Sequence, residues 1–138
     1  MSADTRIADR IEIAELFSRL ANVLDEHRHD DIATVYAEDV VVHSPRGGEL
    51  RGLEEVTAHL KRSQFADEQT LHQNTDVVVD LDGDRARATS NQLTYFSRGD
   101  EPPHETGAVR VSASAVRTPA GWRFDEMTIK VAWIRAEN

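Results

Sequence analysis

The chain contains no cysteine, which excludes disulfides, thiolate nucleophiles and cysteine-ligated zinc. It also lacks any long apolar run: the longest is only a few residues, far short of a membrane span, and the amino-terminal MSADTRIADRIE is charged throughout, unlike a signal peptide. A cytoplasmic protein with no membrane partner is the expectation. Basic residues are scarce, with 16 Lys and Arg against 25 Asp and Glu for a formal net charge of -9, and they are scattered singly. Nucleic acid and anionic membrane are therefore poor partners, since both require clustered cations. No repeat, low-complexity segment or linker interrupts the sequence. A chain of 138 residues buries about two-thirds of its unfolded surface around one core, so residues 1–138 are expected to form a single domain.

What is present divides into a helical first part and a β-rich remainder. Over residues 5–26 the apolar residues keep helical spacing, with Ile13, Phe17, Leu20 and Leu24 on one stripe and Ile7, Ile11, Ala14, Ser18 and Ala21 on the next. Asp4 or Ser2 is placed to cap this helix. A short helix is expected over 31–37, where Ile32, Val35 and Tyr36 share a face. A short strand follows over 39–43 and ends at Pro45. Gly47, Gly48 and Gly52 punctuate a loop, and Leu53, Val56 and Leu60 mark a third helix to about residue 63.

Strands are expected near 70–80, 84–98, 105–117 and 121–134, joined by the tight Asp82-Gly83 turn, a Pro-rich loop at 99–103 and a turn at 119–121. Helices first and an antiparallel run second give an α+β class. A sheet of long strands covered by helices on one face curls. The expected architecture is a cone-shaped, curved mixed or antiparallel sheet with three amino-terminal helices enclosing a pocket.

The element order, together with VLDEHRHDDIATVYAEDVVVHSP (residues 23–45), resembles the SnoaL-like families of the nuclear-transport-factor-2-like superfamily. His72, the Asp82-Gly83-Asp84 hairpin followed by Ala86 and Ala88, and Gly121-Trp122-Arg123-Phe124 fall where that pattern puts them. The resemblance implies the cone fold strongly and function weakly, because the superfamily holds dehydratases, isomerases, cyclases, oxygenase small subunits and pocket proteins without chemistry. Scytalone dehydratase is the nearest chemical analogy: there an aspartate at a helix end holds a histidine that serves as acid and base. Asp25 and His72 match those positions. Its two tyrosines fall at Leu24 and near Ser44, and its second histidine near Ser90. Ketosteroid isomerase is also similar over residues 23–45, but its base and oxyanion-hole tyrosine fall at Ser44 and Leu20, so that machinery is absent.

Read from the residues, Asp25 extends the small-residue stripe Ser18 and Ala21, or else begins the solvated run Asp-Glu-His-Arg-His-Asp-Asp. His72 turns on parity. Strict alternation puts Leu71, Gln73, Thr75 and Val77 on one face and His72 on the other, toward water. A β-bulge between His72 and Val77 would reverse that, and the family pattern implies one. Asp25 and His72 are thus the candidate catalytic pair, and His43, Ser90 and Trp133 the candidate substrate contacts, with Gln92 and Thr94 on the face of Ser90 and, if a bulge shifts the register there too, Asn91 and Tyr95.

The other histidines are read as bystanders: His27 and His29 in a solvated turn, His59 on a helix edge and His104 in an exposed loop. No pair has a recognised ligand spacing, so neither metal nor cofactor is expected. These readings together suggest a general acid-base enzyme of dehydratase, isomerase or cyclase type acting on a polyketide-like or hydroxylated ring compound, the chain being a homodimer. The alternative is a non-catalytic small-molecule-binding or scaffold protein of the same fold. An oxygenase small subunit is a third possibility.

Overall fold

In the computed structural model, which describes residues 2–137, helix α1 spans Ala3–Asp25. Ser2 caps it, its hydroxyl oxygen accepting the Thr5 N–H at 3.1 Å. Asp4 instead lies in the first turn, where a negative charge suits the helix dipole. Ile13, Leu16, Phe17, Leu20 and Val23 form the buried stripe. Ile7 and Ile11, unlike the buried Ala21 of the same stripe, are 56% and 55% exposed, which corrects the amino-terminal end of the second stripe. They lie roughly 160° round the helix from Asp9, and it is the face of Asp9 that packs inward.

Asp9 is 4% exposed. Its carboxylate accepts both Arg117 guanidinium nitrogens, at 3.0 and 2.6 Å, and the Trp122 indole N–H at 3.0 Å. The guanidinium also stacks on the Trp122 ring, 4.8 Å from its centroid. Hydrogen bonding from Arg117 outweighs burial and holds this carboxyl below its ordinary value.

The expected helix over 31–37 is a 3₁₀ turn, His29–Thr34. Sheet pairing claims the residues after it: Phe124 donates its N–H to the Val35 carbonyl at 2.9 Å and Tyr36 pairs with Phe124. Strand β1 therefore starts early, as Tyr36–Ser44. The glycine-punctuated segment is not simply a loop either. Gly48–Arg51 is strand β2, a hairpin partner of β1 that buries Leu50. Helix α2, Gly52–Ser63, follows at once. Glu54 and Glu55 stand in its first turn and Lys61 and Arg62 in its last, both favourable to its dipole.

Four long strands complete the chain: β3 (Gln69–Asp82), β4 (Arg85–Ser97), β5 (Glu105–Thr118) and β6 (Gly121–Ala136). The sheet order is β2-β1-β6-β5-β4-β3, antiparallel except where β1 meets β6. The result is a mixed, curved, unclosed six-stranded sheet with the helices against its concave face.

Besides the shift between Tyr36 and Val41 where β1 meets β6, three register shifts decide which side chains face inward. In β3, Thr75 pairs with Asn91 but Val78 with Thr89, so one extra residue is inserted, and Asp76 takes φ 54 there. In β6 the extra residues are Asp125 and Ala132: Ser114 pairs with Glu126 and Ala115 with Phe124, then Ala108 with Trp133 and Val109 with Val131. The inward set on β6 runs Trp122, Phe124, Met127, Ile129, Val131 and Ile134, reversing parity twice.

Candidate functional site

Asp25 is the last residue of α1, and His72 lies near the start of β3. Because the shift in β3 comes after His72, the residues His72 and Asn74 share the inner face with Val77, Val79 and Leu81. The opening alternation, which alone would send His72 to water, is broken by the backbone at Asp76. The histidine meets the helix end there.

Nδ1 of His72 lies 2.5 Å from Oδ1 of Asp25. The same carboxylate accepts the Thr70 hydroxyl at 2.8 Å and the His72 backbone N–H at 3.0 Å. Burial pushes the Asp25 carboxyl up, but the side-chain and backbone hydrogen bonds and charge of His72, helped by Thr70, overcome it, and the net value lies below the ordinary one. The carboxylate is thus an acceptor for the hydrogen on Nδ1, and in the neutral ring that arrangement puts the lone pair on Nε2. Among the described residues Nε2 has no partner. The two side chains retain 10% and 17% of their exposure, enough to be reached from a cavity and too little to be solvated freely.

That cavity has an outer chamber of about 260 Å³ and an inner one of about 140 Å³, and His72 lines both. Leu24, Leu60 and Ile129 give the two chambers shared apolar wall, and Ser44 and His59 shared polar groups. Phe65 and Ile134 stand at the outer chamber with 61% and 53% exposure. Arg46 and Glu105, 3.6 Å apart, also border it. Inside, the Tyr36 hydroxyl meets the Met127 sulfur at 3.3 Å, and burial raises its pKa. Asn74 donates to the Phe17 carbonyl and accepts from Ser90 and Gln92 at 3.1 and 3.2 Å. Mostly apolar walls with a few convergent polar groups are the usual form of a small-molecule site.

Several candidate contacts lie elsewhere. His43 alternates with the inward Val42 and Ser44, so it faces outward and sits 3.2 Å from Glu126 and 3.8 Å from Glu49. Asn91 and Tyr95 alternate with Ser90, Gln92 and Thr94, and β4 has no shift to reverse them. Asn91 bonds Asp76 on the outer face. Trp133 is turned outward by the extra residue Ala132, and Ile134 takes its place at the cavity. Ser90 does point inward but is covered by Asn74 and lines neither chamber. Thr94 and Gln92, on the same face, do line the cavity.

Two histidines also differ from their expected settings. His29 is buried at 8% exposure and hydrogen-bonds Gln64. His59 faces the cavity, and its position three residues after the buried Val56 and one before Leu60 was the sequence signal for it. His104 pairs with Glu68 at 3.0 Å. Among the described residues, no three metal-ligating side chains come together.

The family model for the SnoaL-like domain matches residues 5–128. The chain belongs to the SnoaL-like domain family. Solved structures of similar shape bear out the cone fold of the nuclear-transport-factor-2-like type. The Kfla4162 protein from Kribbella flavida is 26% identical, with 94% of this chain and 95% of that one covered at a TM-score of 0.85. A type 2 hexachlorocyclohexane dehydrochlorinase, LinA, is 16% identical over 99% of this chain and 94% of its own, with a TM-score of 0.87. A scytalone dehydratase-like protein from Novosphingobium aromaticivorans is 19% identical over 99% and 96%, with a TM-score of 0.83. No curated protein matched. At the identities of the last two the likeness speaks for the fold, so this SnoaL-like chain's chemistry has to be argued from its own cavity.

Proposed function

We propose that this SnoaL-like protein is an acid-base enzyme of the dehydratase, isomerase or cyclase type, acting on a hydroxylated ring compound held in the two-chambered cavity. The observation that carries the reading is the contact between Asp25 and His72, with Nε2 left to the cavity. The carboxylate orients the ring and stabilises the imidazolium that forms when Nε2 takes a proton from carbon or oxygen. Dehydration, enolisation and aldol-type ring closure all begin with that step. The largely apolar chamber walls hold the substrate against Nε2.

Asp25→Asn removes the charge while keeping the shape. On hydroxylated ring compounds screened for water loss by mass spectrometry and for deuterium uptake at carbon in D₂O, it should lower the rate about a hundredfold with ligand affinity retained. A second reading, a binding protein without chemistry, is favoured by Leu24 and Ser44, which line the cavity where the dehydratase pattern has tyrosines. Compounds that bind the wild type, yet neither lose water nor exchange C–H, would establish that reading and overturn ours.

The assembly belongs to the same proposal. Among the described residues no helix covers the outer sheet face, which carries Val78 and Trp133 at 55% and 49% exposure for a second copy to cover. Such an interface buries about 1,200 to 2,000 Å². Sedimentation at micromolar concentration should show twice the 15.5 kDa chain mass; a lone monomer overturns the dimer without touching the site.

A further inference from the structure

We infer that His59 is the cavity's second proton carrier, the group that hydrogen-bonds the substrate's departing oxygen and protonates it. This rests on the acid-base reading of Asp25 and His72. Three observations carry it. His59 lines both chambers, as His72 does, but comes from α2 on the helical side while His72 comes from the sheet. Its ring has no hydrogen-bond or ion-pair partner among the described residues, whereas His29, His43, His72 and His104 each have one. Its position is also built for: a Cβ on Gly47 would stand 2.8 Å from Cε1, 3.0 Å from Nδ1 and 3.1 Å from Nε2 of the ring.

Gly47 has no positive φ to require glycine, unlike Gly48 and Gly52. What the missing side chain provides is room for the imidazole, in the turn between β1 and β2. An imidazole set against bare backbone, turned to an apolar cavity and left without a partner, has donor capacity to offer a ligand. Asp25 is engaged by His72 and Thr70, so it cannot take that part.

For loss of water from a β-hydroxy ketone, Nε2 of His72 takes the proton on the carbon next to the carbonyl. The electrons of that C–H bond become the new carbon–carbon double bond. The β C–O bond breaks with its pair going to oxygen, and the His59 imidazolium gives the proton that completes water. His72 has gained one proton and His59 has lost one. Exchange with solvent through the outer chamber restores both, so no oxidant or reductant is involved.

Two probes on one ring separate the roles: β-hydroxycyclohexanone, whose hydroxide must be protonated to leave, and its β-para-nitrophenoxy counterpart, whose anion leaves unaided. Both eliminations are followed by absorbance. His72→Ala should slow both. His59→Gln should slow the hydroxyl probe about a hundredfold and leave the nitrophenoxy probe within about twofold. Gly47→Ala, which displaces the ring while keeping the imidazole, should give the same selective loss to a smaller degree and stands in should His59→Gln fail to fold. Equal slowing of both probes by the His59 or Gly47 variant, or slowing of neither, overturns the role of His59 and leaves the Asp25–His72 reading in place. A wild type that accelerates neither probe, which removes the base step itself, overturns both.

Discussion

Replacing His72 by alanine should lower turnover by about a hundred- to ten-thousand-fold, the usual worth of a positioned proton-transfer group. The loss should fall on kcat, because the ring is one small part of a wall that also includes Leu24, Leu60, Ile129 and Val109. Those apolar surfaces hold the ligand whether or not the imidazole is present. The fold should survive as well: His72 sits at a cavity, and the sheet pairing of β3 with β4 around it uses backbone groups only. Asp25 would still be bonded to Thr70 and to the backbone N–H at position 72. Thermal unfolding and a ligand titration alongside the rate measurement separate these effects. Wild-type kcat in His72→Ala on a proven substrate would remove the catalytic role and leave a binding pocket.

Replacing Asp9 by alanine should cost roughly 3 kcal/mol of stability, the lower end of the range for breaking a buried ion pair. The lower end applies because Arg117 keeps 34% of its side-chain exposure and can turn partly to water, and because it also has Asp84 at 2.8 Å. The Trp122 indole N–H, in a ring with 0% exposure, would be left without its acceptor. For a chain of this size that is a fall in melting temperature of roughly 10 °C. The sign with pH follows from the depressed carboxyl. A group whose pKa is lower folded than unfolded contributes its stability in full above its ordinary value, here 3.8, and loses it as pH falls through the folded value. The gap between wild type and Asp9→Ala in urea denaturation should therefore be constant from neutral pH to about 5 and narrow below about 4. Asp9→Asn, which keeps an acceptor for Trp122, should lose less. Asp9 touches neither chamber, so a rate loss in Asp9→Ala beyond its fraction unfolded would contradict a structural role.

The sequence by itself determined the class and order of this fold. The apolar spacing in α1 and α2, the β-branched runs, and the Asp82-Gly83 and Pro119-Ala120-Gly121 turns are local signals, and each element they mark exists because its own side chains favour it. The end of α1 was read at residue 26, one past Asp25, and the place of Asp25 at a helix end came from the family resemblance. Where a neighbour supplied the decisive contact, the local signal was insufficient. Tyr36 and Ala37 read as helix and became strand because Phe124 pairs across from them. Asp9 carries no local mark of burial and is buried because Arg117, 108 positions away, brings the countercharge.

The site was decided most of all by register. A period of two places every side chain of a strand by its first member, so one inserted residue reverses everything beyond it. The insertion at Asp76 put His72 on the same face as Val77, and those at Asp125 and Ala132 turned Trp133 out and Ile134 in, while β4, with none, kept Asn91 and Tyr95 outside. Resemblance to the family carried the first of these shifts into the reading of the sequence, whereas nothing in the local composition marked the two in β6. His59 likewise depended on a partner distant in the chain's local logic: a helical residue becomes a cavity wall only when the β1–β2 turn, with bare backbone at Gly47, closes against it. Periodicity is written residue by residue, but the phase of each period, and therefore which residues meet, is set by hydrogen bonds between strands that only the folded sheet brings together.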